Sequence, residues 1–377
     1  MKETVHTRGE APRILISGGG TGGHIFPALS IAGAARERWP GSKILFVGAE
    51  DRMEMERVPA AGYDIIGLPV AGFDRRNLLK NISVTVKLCK SMRKARRIVD
   101  DFRPHIAVGV GGYASGPTLR AAAARGVPTL LQEQNSLAGV TNRLLARRAA
   151  AICVAYEGME RFFPKEKIIL TGNPCRHDLV VSDRNRAGGY AHFRLDPRRR
   201  TLLMLGGSLG ARTLNRSIID AFPKLAAATG LQVIWQCGRY YLEEMQQLQA
   251  AGRIPENVHL TGFVSRMDYA CSVADLIISR AGAGSLSEFS LLGRPVILVP
   301  SPNVAEDHQT KNAQALVDRG AAVMIRDADA PAHLFDTAIA LVGNDGELRR
   351  LATRIAALAQ PDAARRIVDV MQRIIHP

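Results

Sequence analysis

The 377-residue sequence contains few aromatic residues and few cysteines. Phe, Trp and Tyr together make up only 5% of the chain, which leaves little for the base stacking that single-stranded nucleic acid requires. The cysteines are scattered and form no CxxC pair: Cys89, Cys153, Cys175, Cys237 and Cys271. This pattern argues against a disulfide framework and against a zinc site. We therefore expect reduced, mostly buried thiols in a cytoplasmic protein.

Long apolar runs are also missing. The longest purely apolar run is Ala149–Tyr156, whereas a membrane-spanning helix needs about 18 residues or more. The first ten residues contain no apolar core of a signal peptide, and we expect none. With 46% apolar and 23% charged residues, the composition is that of a globular protein and not of a disordered or collagen-like one. At about 150 residues per domain, the length predicts two domains.

Acidic residues are in the minority, with 35 Asp and Glu against 50 Lys and Arg, a net charge of +15. Such a surplus favours binding to nucleic acid, to anionic membranes or to phosphorylated ligands. The basic residues are concentrated between Arg75 and Arg103, a stretch in which Asp100 and Asp101 are the only acidic residues.

Short β-branched runs alternate with helical patterns in two successive series, which begin at Ile14–Ser17 and Thr201–Leu205. Apolar strands separated by helices predict parallel sheets covered on both faces. The sequence therefore predicts an α/β protein with two doubly wound domains. We place the domains at residues 1–175 and 176–345, with an Arg-rich linker at 182–200. Residues 346–377 should form helices that pack back on the first domain.

Three glycine clusters lie between a predicted strand and a predicted helix, at residues 18–24, 109–117 and 206–212. Such loops let the free N–H groups of a helix face a phosphate. The first cluster also matches GxGxxG, with Glu50 placed for a ribose contact, so a nicotinamide-dependent oxidoreductase is one alternative. One dinucleotide needs only one such loop. Three loops in two domains indicate that anionic groups of a ligand bind at both domains. The sequence contains no GxxxxGK[ST] motif, which argues against a P-loop ATPase.

Residues 279–288 read as a strand, a tight turn and the start of a helix that ends in Glu288. Backbone donors followed by a carboxylate suit a diphosphate and a ribose diol; alternatively, Glu288 only complements the helix dipole. The sequence Asp327-Ala-Asp329 has the form of a metal–diphosphate motif, but it lies far from the other motifs and we interpret it as a solvated turn. We therefore predict no metal-ligating residues and no cofactor, and the requirement for a divalent metal ion stays open.

The motifs occur together in the order found in one bacterial family. They are residues 19–24, 111–117, 133–135, 172–174 with Arg176, 206–211, and 283–288 with Gln309. From about Arg13 onwards the chain resembles the MurG family of UDP-N-acetylglucosamine:lipid I N-acetylglucosaminyltransferases of peptidoglycan synthesis. The resemblance implies the GT-B fold, in which two Rossmann-like, doubly wound parallel-sheet domains face each other across a cleft.

The resemblance also implies a donor site for UDP-N-acetylglucosamine (UDP-GlcNAc), most of it in the C-terminal domain. Arg176 and Ser208 would contact the nucleotide, and the main chain at Val264 would contact the uracil. The diphosphate and ribose would be held by the turn Ala283, Gly284, Ser285, Leu286, Ser287 and Glu288, and sugar hydroxyls by Gln309. The N-terminal domain would complete the donor site with Thr21, Gly22, Gly23 and Asn135.

The implied reaction is an inverting transfer of GlcNAc to the 4-hydroxyl of the muramyl sugar of lipid I, with UDP leaving. A base must remove the hydroxyl proton, and both His24 and Glu133 are candidates. Another GT-B enzyme that uses a UDP-sugar but a different acceptor is the alternative.

The basic stretch acquires a role in this context, because lipid I carries an undecaprenyl tail. Apolar residues among Lys and Arg suit attachment to an anionic membrane surface; they are Arg75, Arg76, Leu78, Leu79, Lys80 and Ile82. Alternatively, the stretch is a helix packed on the sheet with a solvated basic face. We expect a peripheral enzyme on the cytoplasmic face of the bacterial plasma (inner) membrane that does not bind nucleic acid.

Overall fold

The computed structural model describes residues 11–70, 80–175, 181–207, 209–304 and 307–376, with side chains described from Val84 onwards in the helix that begins at Lys80. The contacts divide the chain into two compact units. The first unit comprises Met1–Cys175 and Gln360–Pro377, and the second comprises Arg176–Ala359.

The first unit contains a seven-stranded parallel sheet of order β3-β2-β1-β4-β5-β6-β7. Its strands are β1 (Arg13–Ser17), β2 (Lys43–Ala49), β3 (Asp64–Leu68), β4 (Ile106–Gly109), β5 (Thr129–Glu133), β6 (Ala151–Val154) and β7 (Ile168–Leu170). Its helices are α1 (Gly22–Arg38), α2 (Glu54–Ala60), α3 (Lys80–Phe102), α4 (Ser115–Ala124), α5 (Val140–Leu145) and, from the end of the chain, α15 (Ala363–Ile375).

Strand β1 shows why this sheet has helices on both faces. Ile14, Leu15 and Ile16 are all fully buried. Successive side chains of a strand point to opposite faces: Ile14 and Ile16 pack in a core with residues of α1 and α15, and Leu15 packs in a separate core with residues of α3 and α4. An uninterrupted apolar strand therefore contributes side chains to a hydrophobic core on each face of the sheet.

The second unit contains a six-stranded parallel sheet of order β10-β9-β8-β11-β12-β13. Its strands are β8 (Arg200–Leu205), β9 (Leu231–Gln236), β10 (Val258–Thr261), β11 (Leu276–Ser279), β12 (Val296–Leu298) and β13 (Val323–Met324). Its helices are α6 (Asp183–Phe193), α7 (Arg212–Asp220), α8 (Phe222–Ala227), α9 (Leu242–Ala250), α10 (Met267–Val273), α11 (Ala283–Leu292), α12 (His308–Val317), α13 (Ala330–Val342) and α14 (Asp345–Ala356).

The strand order of each sheet reverses at one point, between β1 and β4 in the first unit and between β8 and β11 in the second. In open α/β sheets ligands bind beyond the carboxyl ends of the strands at this switch point. The loops that follow these four strands contain the three glycine clusters and the 279–288 motif. The topology therefore places the motifs of each unit where a ligand site is expected.

Two expectations about the boundaries of the second unit were wrong, the linker at 182–200 and the assignment of all of residues 346–377 to the first domain. Residues 182–200 are not a linker, because α6 packs on α10, where Gly188 and Gly189 leave room for Tyr269 and Val273. Helix α14 belongs to the second unit, where its buried apolar side chains, Leu348 and Leu351, join the core. Only α15 returns, packing on α1 with an ion pair of 3.1 Å between Arg38 and Asp369. Both helices are amphipathic, and the sequence does not indicate which core each one covers.

None of the described helices combines the length and the apolarity needed to cross a bilayer.

Candidate functional site

The first glycine cluster ends at the start of α1 and positions His24. Thr21 is the N-cap residue, and its Oγ1 lies 3.1 Å from Nδ1 of His24. The half-buried imidazole lies against Gly111, the first residue of the second cluster with a positive φ (+93°). A methyl group at position 111 would come within 2.8 Å of Cδ2 and 2.9 Å of Nε2 of His24. Glycine at 111 is therefore required by the histidine ring.

The two glycine clusters of the first unit also contact each other. A methyl group on Gly112 would lie 2.4 Å from the carbonyl oxygen of Gly19, so the two backbones approach closely. Gly22 and Gly23 form the first turn of α1, where helix N–H groups have no partner within the helix. Part of the glycine pattern thus serves loop packing, and Gly22 and Gly23 remain the positions from which a ligand can be bound.

Glu54 lies beneath the first glycine cluster, and no pattern in the sequence indicates it. It is 1% exposed, and its carboxylate accepts hydrogen bonds from the backbone N–H groups of Gly20 and Ala49. Glu50, the acidic residue that the oxidoreductase alternative requires for ribose, forms an ion pair of 3.0 Å with Lys94 of α3.

Glu133, at the end of β5, is engaged within its own loop. The side chain is 2% exposed. Oε1 accepts from the backbone N–H and the side-chain amide of Asn135 at 3.1 and 3.2 Å, and Oε2 accepts from Gly139 N–H at 3.0 Å and from the Asn142 amide at 2.9 Å. Burial raises the pKa of the Glu133 carboxyl, while these donors act in the opposite direction. This bonding favours a role in positioning Asn135 and leaves His24 as the stronger candidate base.

A buried amide network supports the same edge of the sheet. Gln134 donates to the carbonyl of Val110 at 2.7 Å, and Gln132 donates to Oδ1 of Asn173 at 3.1 Å. Asn173 in turn donates to the carbonyl of Gln134 at 3.0 Å. The motif residue Asn173 thus ties the segment after β7 to the loop after β5. Arg176, the next predicted site residue, lies outside the described residues.

In the second unit, α11 begins directly after β11, so its N-terminus lies at the switch point. Gly284 and Ser285 are partly exposed in the first turn, where helix N–H groups are available to a ligand. Glu288 is half-buried one turn further on. The side chain of Leu286 is buried, with the residue 1% exposed, and its N–H donates to the carbonyl of Gly282 at 3.0 Å; its part in donor binding stays a prediction. Helix packing and helix bonding use both groups.

Gln309 holds the chain on both sides of β12. Its Oε1 accepts from the backbone N–H of Ala281 at 3.2 Å and of Ser301 at 2.9 Å. With Oε1 engaged, the amide nitrogen is the group that Gln309 can offer to a sugar hydroxyl. The side chain therefore joins the loop before α11 to the loop after β12.

Asp327 contradicts the expectation of a solvated turn. It begins a single 3₁₀ turn, Asp327–Asp329, and pairs through Oδ1 with Arg280, with both side chains less than 20% exposed. Oδ2 accepts from the Thr213 hydroxyl at 2.8 Å. Arg280 also donates to the carbonyl of Val299 at 3.0 Å. Asp327 is thus a structural partner of the 279–288 motif. In the part of the chain that the structure describes, no group of three or more His, Cys, Asp and Glu side chains could hold a metal ion.

The loop after β10 contains Val264, which is 5% exposed, so its side chain is buried in the second unit. The preceding Phe263 is 46% exposed and has the guanidinium of Arg239 over its ring, 4.9 Å from the centroid. Ser208 lies outside the described residues.

Helix α3 carries the basic stretch and has two different halves. Arg75, Arg76, Leu78 and Leu79 lie outside the described residues, as do the side chains of Lys80 and Ile82. Val86 and Leu88 are 50% and 39% exposed. Further along, Ala95, Ile98 and Val99 are buried in the core of the first unit. The second half is therefore packed on the sheet, while in the described first half Val84 is buried and Val86 and Leu88 face outward.

Comparison with known proteins identifies two family models along the chain. The N-terminal domain of glycosyltransferase family 28 matches residues 14–154, and the C-terminal domain of that family matches residues 201–367.

Two curated relatives that share one name match almost the whole length of this chain. A protein of Parabacteroides distasonis is 59% identical over 96% of this chain and 98% of its own length. A protein of Phocaeicola vulgatus is 61% identical over 93% of each chain. Both are named UDP-N-acetylglucosamine--N-acetylmuramyl-(pentapeptide) pyrophosphoryl-undecaprenol N-acetylglucosamine transferase.

Solved structures agree with this identification. The crystal structure of Acinetobacter baumannii MurG superposes with a TM-score of 0.76 at 29% identity, covering 96% of this chain and 99% of that one. The calicheamicin glycosyltransferase CalG4 superposes with a TM-score of 0.71 at 16% identity, covering 97% and 99%, and shows the fold alone. The expected fold class, two Rossmann-like parallel-sheet units of the GT-B glycosyltransferases, is confirmed. The chain belongs to the MurG family, within glycosyltransferase family 28.

Proposed function

We propose that this chain transfers GlcNAc from UDP-GlcNAc to the 4-hydroxyl of the muramyl sugar of lipid I, with inversion at C1. The observation that carries the proposal is the identity of about 60% to proteins named for this transferase, over nearly the full length of both chains. The glycine clusters and the 279–288 motif with Gln309, which the resemblance assigns to the donor site, are present in the sequence.

The second unit supplies the donor half of the site in this proposal. The first-turn N–H groups of α11 bind the diphosphate, since a helix N-terminus attracts negative charge. The Glu288 carboxylate accepts from the ribose hydroxyls, and the Gln309 amide donates to the sugar. Arg176, Ser208 and the main chain at Val264 complete the nucleotide contacts. As the C1–O bond breaks, the α11 N-terminus stabilises the charge that develops on UDP.

The first unit supplies the group that activates the acceptor. The contact of Thr21 with Nδ1 of His24 fixes the ring orientation, so we assign Nε2 to receive the proton of the 4-hydroxyl. The hydroxyl oxygen forms the new bond to C1, and the electrons of the broken bond leave with UDP. Thr21, Gly22, Gly23 and Asn135 position the reacting groups around this histidine.

The first half of α3 docks the enzyme on the cytoplasmic face of the plasma membrane, where lipid I is anchored. Its support is the exposure of Val86 and Leu88 within a strongly basic stretch. Apolar side chains enter the interface and Lys and Arg bind anionic headgroups. The enzyme is thus peripheral, with UDP-GlcNAc, lipid I and anionic lipid as its partners, and it does not bind nucleic acid.

The test is transfer of labelled GlcNAc from UDP-GlcNAc to a panel of acceptors. We expect label in a lipid I analogue and none in a simple alkyl glycoside or a polyketide aglycone. Label in one of the latter but not in the lipid I analogue would favour another GT-B enzyme. Thermal shift supplies the donor control, because a ligand raises the melting temperature only where it binds the native state. UDP should do so and NADH should not.

A further inference from the structure

A buried carboxylate that takes no part in the proposed reaction lies directly beneath the first glycine cluster. Glu54 of α2 accepts the backbone N–H of Gly20 with both oxygens, at 3.1 Å to Oε1 and 3.0 Å to Oε2. Oε1 also accepts from the N–H of Ala49, the last residue of β2, at 3.0 Å. Both carboxylate oxygens therefore accept hydrogen bonds from the backbone.

The surrounding backbone is shaped to admit this side chain. A methyl group on Gly19 would lie 2.0 Å from Oε1 of Glu54, and one on Gly48 would lie 2.6 Å from its Cγ. Gly19 has a φ of +151°. The absence of side chains at these two positions therefore leaves space for the carboxylate. The sequence pattern alone attributes the glycine at position 19 to the binding of a ligand phosphate.

The contact leads directly to the proposed base. Gly20 precedes Thr21, the N-cap of α1, whose hydroxyl contacts Nδ1 of His24. Fixing the N–H of Gly20 fixes the chain that aims this hydroxyl. Gly112 closes the loop from the other side, against the carbonyl of Gly19. We propose that Glu54 is a positioning residue for GlcNAc transfer, which holds the first glycine cluster so that Thr21 orients His24. This inference rests on the proposed function.

Glu54 acts through the loop and does not touch substrate. It is 1% exposed, and the N–H of Gly20 that it binds is engaged within the protein. Phosphate binding by this loop then depends on the N–H groups of Gly22 and Gly23 at the start of α1. The carboxylate thus determines which loop donors face a ligand.

The test begins with Glu54→Gln, which keeps the size of the side chain but places an amide N–H₂ against backbone N–H donors. A small displacement of a catalytic group costs about a hundredfold in rate, so kcat should fall by about that factor. The Kd for UDP-GlcNAc should rise by no more than about threefold, because most of the proposed donor contacts lie in the second unit and share no partner with Glu54. Glu54→Asp retains the acceptor oxygens and should recover about tenfold of the lost kcat. The matched control is Glu56→Gln, an exposed glutamate on the same helix, which should keep the wild-type kcat.

A second measurement does not depend on activity. In full-length protein labelled with ¹⁵N-glycine, amide hydrogen exchange at Gly20 should be about tenfold faster in Glu54→Gln than in wild type, because exchange reports local opening. Exchange at glycines of the second unit should be unchanged. Gly19→Ala, which presses a methyl group on the carboxylate, should lower kcat as Glu54→Gln does, and the double variant should lose no more than either single one.

A kcat of Glu54→Gln close to that of wild type, or unchanged exchange at Gly20, would overturn the proposal. Equal losses in Glu54→Gln and Glu54→Asp accompanied by lost donor binding would overturn it too, since they indicate general unfolding. If wild type transfers no GlcNAc, the proposed function fails, and exchange at Gly20 still decides whether Glu54 anchors the loop.

Discussion

Arg280 and Asp327 form an ion pair between the loop after β11 and the loop after β13. Arg280 also donates to the carbonyls of Val299 and Pro300 at the end of β12. Gln309 accepts hydrogen bonds from the N–H groups of Ala281 and Ser301. Arg280 and Gln309 together fix the chain that enters α11. The N-terminus of α11 is therefore held in place by contacts among three neighbouring strand ends, before any donor arrives.

The first prediction concerns this ion pair. Asp327→Asn removes the charge that pairs with a largely buried guanidinium, and we expect a loss of about 1–3 kcal/mol of stability. The loosened loop should weaken UDP-GlcNAc binding by about tenfold, since ordering it then costs binding energy. Calorimetry and thermal unfolding measure both effects. Asp329→Asn, in the same 3₁₀ turn but paired with the exposed Arg326, is the matched control. Donor affinity equal to wild type in Asp327→Asn would show that the ion pair does not support the site.

The second prediction assigns Glu288 to the ribose. Glu288→Gln keeps the size of the side chain but removes a charge-assisted hydrogen bond, which contributes about 1.5–3 kcal/mol. The affinity for UDP-GlcNAc should fall by about tenfold or more. Calorimetry with a 2′,3′-dideoxyribose analogue of UDP distinguishes a direct contact from a general effect. Glu288→Gln should bind this analogue as well as wild type does, and an equal loss for both ligands would exclude the ribose contact.

The third prediction concerns His24. His24→Ala should lower kcat by about 10²–10⁴-fold, the contribution of a positioned base, while the Kd for UDP-GlcNAc changes little. Thr21→Val removes the hydroxyl that contacts Nδ1 and should give a smaller loss of kcat. Steady-state kinetics with saturating donor provides the measurement. His24→Ala with a normal kcat would reopen the choice of base, despite the four hydrogen bonds that engage Glu133.

The fourth prediction tests membrane docking. Replacing Arg75, Arg76 and Lys80 together with Gln should weaken binding to anionic liposomes by about 3 kcal/mol, over a hundredfold, at about 1 kcal/mol for each charge. Raised salt should have a similar effect by screening. Turnover of a short-chain, water-soluble acceptor should barely change.

The control for docking removes three charges from the other end of the same stretch, at Arg96, Arg97 and Arg103, near the half of α3 that packs on the sheet. Liposome binding should then fall less. Equal effects of the two triple variants would indicate a general charge effect. An equal loss with the soluble acceptor would place Arg75, Arg76 and Lys80 in the acceptor site.

The sequence predicted the elements whose residues must be uniformly apolar or glycine. Strands such as Ile14–Ser17 and Thr201–Leu205 are buried on both faces, so an uninterrupted apolar run identifies them. Glycines at 111 and 112 take positive φ values, and few other residues do so without strain. The strand–loop–helix pattern was therefore sufficient to place the glycine clusters at the sheet edges.

Residues whose role depends on contacts distant in sequence were not predicted. Glu54 lies 34 residues from the glycine it binds, and Asp327 lies 47 residues from Arg280. No local pattern distinguishes such a carboxylate from a solvated one. For Leu286, the motif does not show that the N–H and the side chain are both used by the helix. The burial and the hydrogen bonds of these residues can be recognised only in the folded structure, where the strands are in register.

The proposed function specifies both the stereochemistry and the position of the new glycosidic bond. Wild-type enzyme would be given UDP-GlcNAc labelled with ¹³C at C1 and a water-soluble lipid I analogue, and the product examined by NMR. Inverting transfer predicts a β-configured C1 joined to O4 of the muramyl sugar, shown by a large coupling between the sugar's H1 and H2. An α-linkage, attachment at another hydroxyl or the absence of any GlcNAc-bearing product would exclude the proposed transfer.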